Sequence, residues 1–333
     1  MTPDLDRCER EIADAMASTA PDGWGQLLGA CDWYSEAETL RTLKAPFPWF
    51  GGKSRVAHIV WDRFGNVPNY VEPFAGSLAV LLGRPHAPKT ETVNDLDGHL
   101  VNFWRSIKLS PDITASWADW PVSEIDLLAR HRWLVRQEFR ERLRDDPDWH
   151  DARIAGWWVW GLCAWIGSGW CRQRGDGDQP DRLPHLGSAG RGERIAGYFR
   201  ELSERLRDVR ICSGEWDRCL GESVTVKHGI TGVFLDPPYS SDEHGVTYSA
   251  DSDPSAQVRE WAIENGPNRM LQIALCGYEG EHEMPQDWEC VAWKARGGYG
   301  SQGDGRGREN AARERIWFSP ACLKPPTLFG GDA

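Results

Sequence analysis

The stretch Val233-Phe234-Leu235-Asp236-Pro237-Pro238-Tyr239 constrains this chain more than any other. With Ile230 and Thr231 before it, the apolar run has the length and composition of a short buried strand. Two prolines then remove the N–H groups that a ladder needs, so the strand must stop at Asp236. A carboxylate, two rigid backbone carbonyls and an aromatic ring are thereby set at the carboxyl end of a central strand. In open α/β sheets, ligands bind at that edge.

Asp236, Pro237, Pro238 and Tyr239 suit one kind of chemistry. The exocyclic amine of a nucleobase is a weak nucleophile because its lone pair is delocalised into the ring. A carboxylate and a fixed carbonyl that accept its N–H bonds favour a pyramidal nitrogen with a localised lone pair. Pro237 holds its carbonyl on stiff, extended backbone, and Tyr239 offers a flat face to a base taken out of the stack. A surface turn with one buried tyrosine could carry the same residues, so the neighbouring segments decide.

The segment Pro46-Phe47-Pro48-Trp49-Phe50-Gly51-Gly52-Lys53-Ser54 ends like a phosphate loop. Phe47 stands where that motif requires its first glycine, which excludes a nucleoside triphosphatase. What remains is an aromatic residue, a glycine pair and a lysine opening a helix that runs to about Phe64. Asn69 to Phe74 reads as a strand, Ala75-Gly76-Ser77 as a tight turn and Leu78 to Leu82 as a helix. Together these make the first unit of a nucleotide-binding fold, without the Gly-x-Gly-x-x-Gly of a pyrophosphate cradle. Thr92-Val93-Asn94-Asp95 ends a second strand on an acid that can accept bonds from ribose hydroxyls. A helix follows near Leu100 to Ile107.

In this order, Trp49-Phe50-Gly51-Gly52-Lys53, Glu72-Pro73-Phe74-Ala75-Gly76-Ser77, Asn94-Asp95 and Asp236-Pro237-Pro238-Tyr239 resemble the DNA adenine methylase (Dam-type) family. The resemblance covers roughly residues 45 to 325. It implies a Rossmann-like, S-adenosylmethionine-dependent methyltransferase sheet of the α/β class, with an inserted, mainly helical target-recognition domain. It implies methyl transfer to N6 of a flipped-out adenine in double-stranded DNA, by direct in-line displacement and without a metal. Catalytic roles fall on Asp236, Pro237, Pro238 and Tyr239. Cofactor contacts fall on Trp49, Lys53, Glu72, Phe74, Gly76, Asp95 and Asp236. Val209 to Trp216 resembles the family's strand ending in an acid and an aromatic against the cofactor's adenine, here Glu215 and Trp216. Glu215 stands where the family more usually has Asp.

The expected organisation is an accessory segment at 1–44, a catalytic domain at 45–110 and 193–325, a recognition domain at 111–192 and a tail at 326–333. Helical spacing runs from Leu5 to Met16 in the accessory segment. Within the recognition domain, Ser123 to Arg144 reads as one long helix with Leu127, Leu128, Trp133, Leu134 and Phe139 inward. Ala155 to Trp165 reads as an apolar core helix. Trp170, Arg172, Arg174, Arg191 and Arg194 are candidates for DNA contacts, as are Arg306 and Arg308 in the glycine-rich segment 297–313. Polar residues from Ser240 to Ser255 suit a lid. Leu271 to Leu275, Trp288 to Trp293 and Arg315 to Phe318 read as further strands.

A formal net charge of −12 argues against general attraction to nucleic acid, so DNA binding needs a local basic face. The nine cysteines are scattered without a Cys-x-x-Cys, which predicts reduced thiols and no zinc site. No apolar run approaches the roughly 18 residues of a membrane span, and Asp4, Asp6, Glu9 and Glu11 exclude a secretory start. The expectation is a cytoplasmic protein of a bacterial or phage-infected cell, monomeric or weakly dimeric. An N4-cytosine methyltransferase needs the same acceptors and stays open. So does a DNA-binding protein that has lost turnover.

Overall fold

Strands whose every residue is apolar or small need cover on both faces, which in practice means a parallel sheet between helices. The computed structural model has that arrangement. It describes residues 42–49, 52–146, 148–166, 170–171, 183–185, 192–239, 254–293 and 313–324. The accessory helix expected from Leu5 to Met16 lies wholly outside the described residues, and the lid and the glycine-rich segment do so apart from residues at one end of each.

Among the described residues, seven strands form one sheet: β1 Asn69–Glu72, β2 Thr90–Asp95, β3 Arg210–Ser213, β4 Thr231–Leu235, β5 Leu271–Tyr278, β6 Glu289–Ala292 and β7 Glu314–Phe318. Their order is β3-β2-β1-β4-β5-β7-β6. The first five are parallel. β7 runs antiparallel to both β5 and β6. The mixed sheet is consistent with a methyltransferase fold. The chain moves outward from β1 to β3, then returns to lay β4 on the other side of β1. Connections after β1 and β4 therefore leave in opposite directions, opening a crevice above their carboxyl ends.

Alternate residues feed two cores. Tyr70, Val93, Phe234, Ala274, Ile316 and Phe318 face one, together with Trp61 and Phe64 of α1 (Ala57–Phe64). Val71, Val233, Leu235, Ile273, Leu275 and Trp317 face the other, with Val258 and Ala262 of a helix at Pro254–Asn265. Arg63 clamps α1 to β6 through two bonds to the Glu289 carboxylate, at 3.1 and 2.6 Å.

Between β1 and β2 lies α2 (Ala79–Leu82). Between β2 and β3 come α3 (Gly98–Leu109), α4 (Pro111–Ala118), α5 (Glu124–Val135), α6 (Arg140–Asp145), α7 (Ala152–Ala164) and α8 (Glu193–Leu206). Capping explains three of the starts: Asp97, Ser123 and Asp151 each accept from backbone N–H groups of the first turn. Phe103, Ile107, Ala115, Trp158, Val159 and Phe199 share the first core with β1 and β2. A buried triad adds to this, with Arg84 and Arg205 on the two oxygens of Glu91 at 3.0 and 2.7 Å. It ties α8 to β2.

One helix is shorter than its sequence predicts. Ser123 to Arg144 divides into α5 and α6 because the chain breaks at Arg136–Phe139. There, backbone N–H groups of Arg136 and Gln137 reach back only three residues, and Gln137 Nε2 donates to Trp133 O. The break seats Phe139 against His99 and Trp149. Three further helices, α4, α8 and α9 (Pro254–Asn265), have no counterpart in the sequence expectations. Among the described residues, no helix is long and apolar enough to cross a membrane.

Candidate active site

Pro237 and Pro238 end β4, and the carboxylate of Asp236 meets a lysine. Lys53 begins a short 3-10 turn ahead of α1 and is 4% exposed. Its ammonium lies 2.9 Å from Asp236 Oδ1 and donates to the Tyr239 hydroxyl at 3.0 Å. Burial works to lower the Lys53 ammonium. The Asp236 carboxylate, backed by Cys276 and Glu314, outweighs it and holds the group above the ordinary lysine value. The neighbouring carboxylates thus favour the charged form of this lysine.

The Tyr239 hydroxyl sits between two carboxylates, 3.1 Å from Asp236 Oδ1 and 3.0 Å from Glu314 Oε2. Burial, then the charge of Asp236, raises the phenol, so it stays a proton donor. Its ring meets Tyr278 edge to face at 4.6 Å. Trp293 closes over Lys53, with its ring 5.6 Å from the ammonium. Pro237 is buried and Pro238 exposed.

A second cluster lies at the carboxyl ends of β1, β2 and β3. Gly76 has φ +45, a left-handed conformation that L side chains resist, and a Cβ there would fall 2.6 Å from Trp49 Nε1. The turn is further pinned where Trp104 Nε1 donates to Gly76 O and where Gly76 N donates to Asp95 Oδ2. Asp95 Oδ1 accepts from Asp97 N at 2.9 Å. Burial pushes the Asp95 carboxyl up to about 6, although these backbone N–H groups pull it down. Asn94 joins the loops after β1 and β3, its Nδ2 donating to Pro73 O and Gly214 O at 3.0 and 2.9 Å. Phe74 and Trp216 lie nearly parallel, with centroids 6.2 Å apart. Beside them Glu215 is exposed. Glu72 lies under the crevice, accepting from the Tyr70 hydroxyl at 3.0 Å, and burial raises its carboxyl well above the usual range.

The catalytic and cofactor candidates therefore gather along one edge of the sheet in two adjoining groups: Lys53, Asp236 and Tyr239; and Trp49, Phe74, Gly76, Asp95 and Trp216. Sequence reasoning missed Glu314 and the bridging role of the Asn94 side chain. Glu314 had a signal, a single acid heading the apolar strand Ile316-Trp317-Phe318.

The DNA candidates fare differently. Arg172, Arg174, Arg191, Arg306 and Arg308 lie outside the described residues. Arg194 is exposed in the first turn of α8, at the rim of a cavity of about 340 Å³ lined by Trp160, Tyr198 and Phe199. Trp170 is a correction. It is 8% exposed and is packed as core, donating from Nε1 to Trp158 O at 3.0 Å. Its indole occupies the space that a Cβ on Gly161 would need, so Gly161 opens a slot for it in α7. Buried between His131, Trp165 and α7, this ring has no face for a base.

Residues 49–120 match the family model of D12 class N6 adenine-specific DNA methyltransferases. The match supports methylation of adenine N6 in DNA as the activity. It spans the residues from Trp49 to Asp95 at this edge, and the Asp236 to Tyr239 motif lies beyond it. No curated protein matches the chain.

Proposed function

We propose that this chain is a Dam-type enzyme that methylates N6 of an adenine turned out of double-stranded DNA, with Asp236 and the Pro237 carbonyl as the acceptors that activate the amine. One observation carries this reading. Lys53, inside the matched span, pairs at 2.9 Å with Asp236 at the end of the central strand.

The residues fit S-adenosylmethionine. Asp95 suits a ribose diol, and the near-parallel rings of Phe74 and Trp216 suit a flat heterocycle. Among the described residues, no donor reaches the buried Asn94 Oδ1 at the end of β2. When bound, the cofactor supplies an electrophilic sulfonium methyl. The rest is done by the chain. Asp236 and Pro237 O accept the N6 hydrogens and localise the nitrogen's lone pair. Tyr239, its hydroxyl anchored, holds the base flat against its ring. These acceptors are built into a strand end and do not reorganise during reaction, which is where most of the rate should come from.

We assign DNA recognition to the segment 111–192 and to neighbouring arginines, Arg194 among them. The test is transfer of labelled methyl from S-adenosylmethionine to unmethylated DNA, with the product mapped base by base. N6-methyladenine in one short motif is the expected result. N4-methylcytosine would move the acceptor to the other exocyclic amine. Binding of DNA and cofactor without transfer would mark a binding protein.

A further inference from the structure

We propose that Glu314 is a positioning residue for the transfer, drawing the Tyr239 hydroxyl and the Lys53 ammonium away from Asp236 so that its carboxylate serves the adenine amine. The inference rests on the role given to Asp236 above.

Glu314 opens β7, opposite Tyr278 of β5, and is 3% exposed. A carboxylate so buried is costly unless it is paired and hydrogen-bonded. Its Oε2 lies 3.0 Å from the Tyr239 hydroxyl and 3.9 Å from Lys53 Nζ. The hydroxyl carries one proton and faces two carboxylates at nearly equal distance, so it donates to one at a time. The described contacts to Asp236 both fall on Oδ1, and both come from groups that Glu314 also reaches. An adenine amine approaching Asp236 competes with them. Turning the hydroxyl proton to Glu314 removes one competitor with no change of charge. A shift of Lys53 from 2.9 Å off Asp236 toward Glu314, now at 3.9 Å, weakens the other. Without the second carboxylate, the Tyr239 proton would rest on Asp236 Oδ1, which already receives Lys53 at 2.9 Å, and an amine approaching that oxygen would meet both.

Burial first, then the charges of Asp236 and Glu281, raise the Glu314 carboxyl, while Lys53 and the Tyr239 bond lower it. Cys276 of β5 also faces the cluster, with its thiol pushed up by burial.

The test is single-turnover methyl transfer at saturating cofactor by the full chain, as wild type, Glu314→Gln, Tyr239→Phe and the double variant. Gln keeps the size of Glu314 but has no charge to draw on Lys53. Misplacing a reacting group typically costs up to about 100-fold, so Glu314→Gln should slow transfer by about 30- to 100-fold while cofactor Kd stays within about two-fold. In Tyr239→Phe, which has no hydroxyl proton to place, the same change should cost at least about three-fold less. Glu314→Asp, which restores the charge, should recover part of the rate and guards against a fold defect in the Gln variant. A Glu314→Gln rate within about three-fold of wild type, an equal cost in both Tyr239 backgrounds, or no recovery with Asp overturns the inference. A wild-type chain that transfers nothing overturns the underlying reading as well. It is distinct from failure of Glu314 alone, which leaves the wild type active.

Discussion

Lys53 and Asp236 form a buried ion pair at 2.9 Å, joining the turn before α1 to the strand end that carries Pro237 and Tyr239. The pair fixes the carboxylate in place. It also means that removing Asp236 takes the nearer of two described carboxylates from the Lys53 ammonium and leaves Glu314 Oε2 at 3.9 Å.

Asp236→Ala should therefore do two things. Methyl transfer should fall by at least about 100-fold, the scale of removing one preorganised group at a reacting centre. Stability should fall by up to about 3–5 kcal/mol, the cost of stranding one partner of a buried pair, with Glu314 holding the loss toward the lower end. Cofactor affinity should change little. Turnover assays, calorimetric melting and cofactor titration read the three separately. Undiminished turnover would remove Asp236 from the mechanism.

Asp95 gives a pH signature. Its carboxyl is raised by burial to about 6 from the ordinary 3.8. Ribose hydroxyls donate to the ionised form, so cofactor affinity should increase as pH rises through about 6 and level off above it. Stability runs the opposite way. The folded chain holds this proton more tightly than the unfolded chain, so the contribution is fully present below 3.8 and is lost as pH rises through about 6. Asp95→Asn should flatten both trends. Asp95→Ala should weaken the cofactor by roughly 10- to 100-fold, the range for a hydrogen bond to a charged group. Calorimetric titration across pH 5 to 8 would check the set, and an unchanged Kd in Asp95→Ala would refute the ribose contact.

Gly76→Ala should disturb the same turn from the backbone side. The position has φ +45, and the added methyl would lie 2.6 Å from Trp49 Nε1. Left-handed strain alone costs about 1–3 kcal/mol, and the Trp49 ring must also shift. We expect a lower melting temperature and weaker cofactor binding together. Normal binding with normal stability would show that the turn tolerates a side chain.

The motifs were legible because each joins an unmistakable local signal to a strand end. An apolar run meets two prolines at Asp236, and a glycine turn follows Glu72-Pro73-Phe74. Their convergence on one edge then follows from the strand order. The acid at Glu314 was visible at the head of a strand, but its role was not legible. Its role depends on β7 lying antiparallel against β5, which brings an acid 75 residues from Tyr239 onto the tyrosine hydroxyl. Trp170 was misread for a related reason. Glycine, tryptophan and arginine in one loop look like a binding surface, and only the slot over Gly161 in α7 shows where the indole goes. The break between α5 and α6 is likewise tertiary, set by the seat of Phe139 against His99 and Trp149.

DNA affinity provides the last prediction. With a net charge of −12, the chain as a whole repels a polyanion, so binding must come from a confined basic face. Log affinity should fall linearly with log salt, with a slope of about 0.9 per neutralised phosphate and a few phosphates in total. Arg194, exposed on the first turn of α8, is the described candidate for that face. Arg194→Ala should weaken binding across all sequences alike and reduce the slope by about 1, as loss of one phosphate contact does. The change leaves Asp95, Asp236 and Tyr239 untouched, so transfer at saturating DNA should stay near wild type. Fluorescence anisotropy between 50 and 200 mM salt would measure the slope. A flat response in the wild type would contradict a local basic face, and an unaltered slope in the variant would take Arg194 out of it.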